Sequence, residues 1–332
     1  MINKADIVIG VAYGDEGKGK ITALLASSGH YDYVARWAGG NNAGHTVWVN
    51  DKKYKTHLVP SGVFYGVKSI VGPGCVLHIE SFQAELDYLS ENGFDTSLVK
   101  VSPKCHIVTD EHISYDKRYL AAKLGTTSRG IAPCYSDKAA RTGILAKDVL
   151  DKELLWDEKL SGNILCEGAQ GVWLDIDHGN YPYVTSSITL PYGACSIGFP
   201  PQKINKIWGA AKLYDTRSGE DPLFPESLLH DSELAAIAKL GEEFGVTTGR
   251  PRKVNWLNLT MLVDSINLTG ATNLIINKCD IIKELGTHRL YQNDLLISFV
   301  VFKDMLAYIE AEVRQSCPLI EEIKFSFSPK EI

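Results

Sequence analysis

The sequence predicts an α/β fold around a mainly parallel central β-sheet flanked by helices, and three observations carry that expectation. Short β-branched runs alternate with longer stretches of helical periodicity along the chain. Several of those runs are almost continuously apolar, as in parallel strands covered on both faces. The first of them runs directly into a glycine-rich, lysine-bearing turn that opens a helical stretch.

In chain order the strand candidates are residues 7–10, 33–36, 69–71, 99–102, 164–167, 207–212 and 273–277. Asp231 or Ser232 caps a helix whose apolar positions Leu234, Ile237, Ala238 and Leu240 follow the three-four rhythm, with Gly245 ending it. Phe302, Met305, Leu306, Ile309 and Val313 repeat that spacing near the C-terminus. Residues 125–146 and 216–225 carry Gly, Thr, Ser and Arg with little apolar period, and read as long irregular segments of the functional kind. No repeat or long linker interrupts residues 1–332, so a single catalytic domain is expected.

With 45% apolar and 22% charged residues and a net charge of -6, the composition is that of a soluble globular protein without a dedicated nucleic-acid surface. Seven scattered cysteines lack CxxC spacing, which points to a reducing cytoplasm rather than a disulfide or zinc framework. The opening MINKADIVIG is too short and polar for a signal peptide, and no apolar run reaches the roughly 18 residues of a membrane span.

The turn after the first run reads GVAYGDEGKGK from Gly10 to Lys20. A strand, a glycine turn and a helix N-terminus offer unpaired backbone N–H groups to an anion, and Lys18 and Lys20 add charge. The register Gly14-x4-Gly19-Lys20 fits the start of a P-loop, but Ile21 stands where a metal-binding Ser or Thr belongs. Asp15 changes the chemistry: beside a bound phosphate it holds Mg²⁺ or takes a proton, or else it bonds the turn backbone. The tetrad Asn277-Lys278-Cys279-Asp280 follows an apolar strand, and its Asp can accept from guanine N1–H and N2 where adenine offers no such pair.

Between these lie further polar loops. Arg36 to Thr46, RWAGGNNAGHT, brings Asn41, Asn42 and His45 onto a loop that glycines leave uncrowded. GTTSRG at 125–130 and DKAAR at 137–141 read as hydroxyls and guanidinium groups for an anion. EGAQG at 167–171 begins where a strand ends, and Gln170 suits a base edge. TTGRPRK at 247–253 sets Arg250 and Arg252 two residues apart, a fork pair for a di-acid or an amino acid.

These blocks, with DIDHGNYPYVTSS at 175–187, resemble the adenylosuccinate synthetase family in order from end to end, in a compact form like its archaeal or viral members. The resemblance implies a P-loop-NTPase-like fold and the joining of L-aspartate to IMP with GTP, through a 6-phosphoryl intermediate. It implies Asp15 as general base and Mg²⁺ ligand with the Gly44 carbonyl, and His45 as general acid, with Lys18 and Gln170 assisting catalysis. Asn42, Thr127, Gln170 and Thr185 look like IMP contacts, and Arg141 like the arginine that reaches the neighbour's site in a homodimer. Thr247, Arg250 and Arg252 resemble the aspartate loop. Gly14, Glu16, Gly17, Lys18, Gly19, Lys20, Gly44, His45, Thr46, Lys278, Asp280, Ser326 and Ser328 resemble the GTP contacts. Viral relatives acting on dGMP form an alternative, since some replace the loop Asp, and a GTP-binding switch protein is an alternative of another class.

Overall fold

Strand β1 (Ile2–Gly10) is buried at nearly every position, which demands a sheet with cover on both faces. In the computed structural model, which describes residues 1–245 and 249–331, it lies inside an eight-stranded sheet. The other strands are β2 (Tyr33–Arg36), β3 (Lys68–Val71), β4 (Val99–Val101), β5 (Gly162–Glu167), β6 (Ile204–Lys212), β7 (Asn273–Asn277) and β8 (Glu322–Phe325). They run in the order β8-β7-β6-β1-β5-β2-β3-β4, and every neighbouring pair is parallel.

The register aligns the carboxyl ends that matter. Val8 and Arg36 both sit opposite Glu167, Gly10 opposite Ala210, Lys212 opposite Asn277 and Ile276 opposite Phe325. Loops leaving one edge of a parallel sheet must therefore meet, which is where open α/β sheets bind ligands. Helix α1 (Lys18–Ala26) follows β1, helix α2 (Cys279–Leu285) follows β7, and helix α3 (Phe302–Ser316) packs Met305, Ile309 and Val313 into the main core. Among the described residues no helix is long and apolar enough to cross a membrane.

The structure differs from expectation in several places, the four-stranded second sheet described below among them. The hairpin His45–Val49 with Lys52–Thr56 had its signal in Asn50-Asp51, both at positive φ (47° and 64°), the conformation of a tight two-residue hairpin turn. Strand β8 is half-buried and carries charges, so it shows no apolar run. Residues 125–146 are not wholly irregular: helix Ile131–Ala140 sits there, with Ile131 and Cys134 turned into a small core. The helix capped by Asp231 ends at Leu240, not at Gly245, because Glu243 is drawn into buried pairs with Lys212 and Arg252.

A second sheet joins Tyr214–Arg217, Lys253–Asn258, Arg289–Gln292 and Leu295–Ser298. Asp215 within it is buried and accepts from Asn258 N–H at 2.9 Å; burial raises its pKa to about 7, against lowering by that bond and by Lys212. A raised folded-state pKa favours the protonated acid, so stability falls as pH climbs from the unfolded value near 4 through about 7. Asp215→Asn, which keeps the acceptor, is therefore expected to raise Tm by about 2–5 °C at pH 8 and by less at pH 5. Thermal melts at both pH values check this; an equal effect at both removes the acid as cause.

Candidate active site

Five loops from the carboxyl edge surround one cavity of about 1030 Å³. They follow β1, β2, β5, β6 and β7, and the C-terminal turn after β8 adds Ser328 and Pro329.

The phosphate loop is shaped from within. Gly14, Asp15 and Gly17 take positive φ (90°, 64° and 96°), so the chain coils tightly before α1. The buried Glu16 carboxylate accepts from Gly14 N–H at 2.7 Å, Ala12 N–H at 3.3 Å and Lys18 Nζ at 2.7 Å. Those two amides are thus already satisfied, and the backbone N–H groups a helix N-terminus leaves without intrahelical partners are those at the start of α1. A Cβ on Gly19 would stand 2.7 Å from His45 Cβ, so only glycine lets the imidazole pack on the loop.

His45 is oriented by Glu167. Its Nδ1 forms a short hydrogen bond to Glu167 Oε1, and the carboxylate also accepts from Ser61 N–H at 2.7 Å and Ser61 Oγ at 2.8 Å. Burial outweighs Glu167 and holds the His45 pKa below the usual imidazole range. Burial raises the Glu167 pKa, but His45, Arg36 and the Ser61 N–H outweigh it and keep the carboxyl below its ordinary range. An ionised Glu167 accepting Nδ1–H is a counter-ion for the imidazolium, whose Nε2–H can donate to an anion in the cavity.

Asn42, Thr127, Gln170 and Thr185 all line the cavity. Gln170 adopts φ 53°, and its Oε1 lies 3.5 Å from the Ser187 hydroxyl. The loop bearing Thr127 hangs on buried Asp116, which accepts from Thr126 Oγ1 at 2.6 Å and Gly130 N–H at 2.9 Å.

Asp15 faces Arg252: Nε lies 2.9 Å from Oδ2, while Nη1 of the same guanidinium donates to Glu243 at 2.6 Å. Glu243 is almost wholly enclosed and also accepts from Lys212 at 3.1 Å and the Tyr214 hydroxyl at 2.6 Å. Burial raises the Glu243 pKa, but Lys212 and Arg252 prevail and pull it down to about 2. Arg250 reaches the Gly125 carbonyl at 3.4 Å, and Thr247 lies outside the described residues.

On the opposite wall Lys278 donates to the Gly241 carbonyl at 2.8 Å, and Asp280 sits in the first turn of α2. Asn277 Nδ2 donates to the Glu16 carbonyl at 2.7 Å, fastening the tetrad to the phosphate loop.

Most of the expected residues therefore meet at one site. Asp15, Gly44, His45, Thr46, Lys18, Lys20, Arg252, Lys278, Asp280 and Ser328 line the cavity; Arg250, Arg141, exposed at the end of helix Ile131–Ala140, and the buried Ser326 do not. Sequence reasoning missed Asp116, Lys212, Glu243 and the hairpin residues Trp48, Lys53 and Lys55, none of which stands in a recognisable motif.

A family model described as adenylosuccinate synthetase matches residues 7–162 and 157–290. An adenylosuccinate synthetase from Brevibacillus brevis is 38% identical, with 96% of this chain and 86% of that protein covered. One from Heliobacterium modesticaldum is also 38% identical, covering 92% and 85%. The solved, fully ligated adenylosuccinate synthetase from Plasmodium falciparum superposes with TM-score 0.82 at 28% identity, covering 98% of each chain. A cyanophage S-2L succinoaminodeoxyadenylate synthetase bound to dGMP and dATP reaches TM-score 0.77 at 18% identity, over 99% and 94%, which is a likeness of fold.

Proposed function

We infer how these residues divide the work from one premise: this chain belongs to the adenylosuccinate synthetase family of GTP-dependent ligases. We propose that the acceptor is IMP and that residues 1–332 act as one catalytic unit in the cytoplasm. The observation that carries the reading is the meeting, around one cavity, of Asp15 in the phosphate loop, the Glu167-oriented His45, Arg252 and the guanine-type tetrad. A switch protein needs no fork for a carboxylate and no base facing the phosphates.

In this reading Asp15 takes the N1 proton of IMP. The six-oxygen then attacks the γ-phosphorus of GTP and the β–γ bridging oxygen leaves with GDP. Loop amides at the start of α1 and the Lys18 ammonium offset charge on the transferring group. His45 acts as general acid: its imidazolium, with Glu167 as counter-ion at Nδ1, donates through Nε2–H to the phosphate oxygen on which that charge grows. The aspartate amine displaces phosphate from C6 and loses its proton, while Arg250 and Arg252 hold the amino acid's carboxylates. Asn42, Thr127, Gln170 and Thr185 hold IMP.

The donor set fits Mg²⁺, a hard ion commonly held by one or two carboxylates together with substrate phosphates. Among the described residues no cluster of three His, Cys, Asp or Glu offers an all-protein cage, whereas Asp15 and the Gly44 carbonyl supply oxygen donors on the cavity wall. Bound there with the nucleotide, Mg²⁺ supplies neutralisation of phosphate charge. Arg141 is exposed and outside its own chain's cavity, which supports a role in a partner's site within a homodimer.

The test combines Mg²⁺ and aspartate with GTP or ATP against IMP or dGMP, and reads succinyl products by mass spectrometry. Product from IMP and GTP is expected; product from dGMP alone transfers the assignment to the viral-type reaction. Asp280→Ala is expected to lower the GTP-over-ATP preference at least about 10-fold, since one carboxylate supplies the discrimination. Unchanged preference, from kcat/KM for each nucleotide, removes guanine from this wall.

A further inference from the structure

Lys20 stands at the P-loop position whose lysine ordinarily reaches the phosphates, yet its surroundings are of another kind. Its Nζ donates to Asn277 Oδ1 at 2.9 Å, Ser326 Oγ at 2.6 Å and the Ser328 carbonyl at 2.7 Å. An ammonium has three N–H donors, so these three acceptors use all of them. None of the three belongs to the phosphate loop: one comes from the tetrad after β7 and two from the turn after β8. The turn closes on itself, with the Ser326 hydroxyl 2.7 Å from the Glu331 carbonyl, and on the tetrad, with Cys279 N–H donating to the Ser326 carbonyl at 3.1 Å. Both lysines line the cavity, but Lys18 donates to Glu16 within the phosphate loop itself, at 2.7 Å.

We propose that Lys20 is a positioning residue for base selectivity: it fastens the tetrad and the C-terminal turn to the start of α1, and the phosphate-facing cation is Lys18. The proposal rests on the reading that this wall receives guanine. Burial supports it, pulling the Lys20 pKa down to about 8 against the pull of Asp280, as expected for an ammonium enclosed among neutral acceptors. Such a cation ties base pocket and phosphate loop into one body, so that a correctly seated base places the triphosphate on α1. Without it, Ser326 and Ser328 lose their shared donor and the turn drifts from the base, while the amides of α1 remain.

The two roles separate in measurement. A phosphate-binding lysine contributes equally to every nucleotide; a base-positioning lysine contributes only where the base is recognised. Lys20→Met keeps most of the side-chain volume and removes the donors. The expected result is an inhibition constant for GDP raised about 10-fold and that for ADP unchanged. Equal weakening of GDP and ADP, with kcat lost for every nucleotide, overturns the proposal and returns Lys20 to the phosphates. Should Lys20→Met not fold, Lys20→Arg gives the same ratio. A planar guanidinium keeps the charge but cannot satisfy three acceptors gathered round a tetrahedral nitrogen, so a lowered GDP preference supports the proposal and an intact one overturns it. Asp280→Ala runs alongside: if it leaves the GDP-to-ADP ratio unchanged, the guanine reading itself falls. If it lowers the ratio while Lys20→Met does not, only the Lys20 proposal falls.

Discussion

Asp15→Asn abolishes aspartate-dependent phosphate release, lowering kcat by at least about 10³-fold. The size follows from what one carboxylate is asked to do in the proposed mechanism. It must accept the N1 proton, without which the six-oxygen is a weak nucleophile, and it must supply a charged oxygen to the metal site. Asparagine does neither. The substitution is well controlled, because Asp15 sits at φ 64° and asparagine is among the few residues that tolerate that conformation. Arg252 loses one anionic neighbour but keeps Glu243 at 2.6 Å, so the surrounding charge network survives. The expected picture is an unchanged melting temperature, retained GDP binding and no succinyl product. Turnover within a few-fold of wild type would remove Asp15 from the chemistry and leave it as a turn residue paired with Arg252.

The pairing with Arg252 has a consequence for the order of events. Arg252, proposed to meet the amino acid, lies 2.9 Å from Asp15, the proposed base. The buried Glu243, itself paired with Lys212, holds Arg252 through the other arm of its guanidinium, so two cations and two carboxylates balance. A substrate carboxylate and Asp15 are therefore alternative partners for one side of the same guanidinium. Binding the amino acid and loosening Arg252 from the base are linked by charge rather than by distance.

Much of this was legible in the sequence because it is local. The continuous apolar runs of β1, β5 and β7 marked a buried parallel sheet, and the loops that bear Asp15, His45, Gln170, Arg252 and Asp280 announced themselves by glycine, by hydroxyls and by unusual charge. What stayed hidden is pairing across long separations. Glu16 reads as a second acid facing the phosphates until the coil of Gly14 and Asp15 turns its carboxylate inward onto Lys18. Glu243 reads as one acid in a polar loop, and its importance appears only when β6 brings Lys212 beneath it. Asp116 lies in a helix with no motif around it, yet the Thr126–Gly130 loop hangs from it. The edge strand β8 alternates Glu322-Ile323-Lys324-Phe325 over only four half-buried residues, too short a period to stand out.

Glu167→Gln lowers kcat by about 10²–10³-fold while the KM for GTP stays within about threefold. The argument turns on donors that cannot move. Glu167 accepts from the Ser61 backbone N–H at 2.7 Å, a donor fixed in direction, and from the Ser61 hydroxyl and His45 Nδ1. A glutamine must keep its oxygen on the Ser61 N–H, since turning its amide there would set donor against donor in a buried site. Its NH₂ then points at His45 Nδ1 and forces that nitrogen to accept, which moves the imidazole proton to Nε2. The ring keeps a donor at Nε2, but it has lost the carboxylate that serves as counter-ion to its protonated form. Formation of the imidazolium, already disfavoured by burial, becomes harder still as charge builds on the transferring phosphoryl group. The imidazole nitrogen shifts in NMR spectra report the tautomer directly, and phosphate release reports kcat. A flipped tautomer with kcat unchanged would show that His45 serves only to pack against Gly19, and a kcat loss without the flip would trace the effect to the missing charge alone.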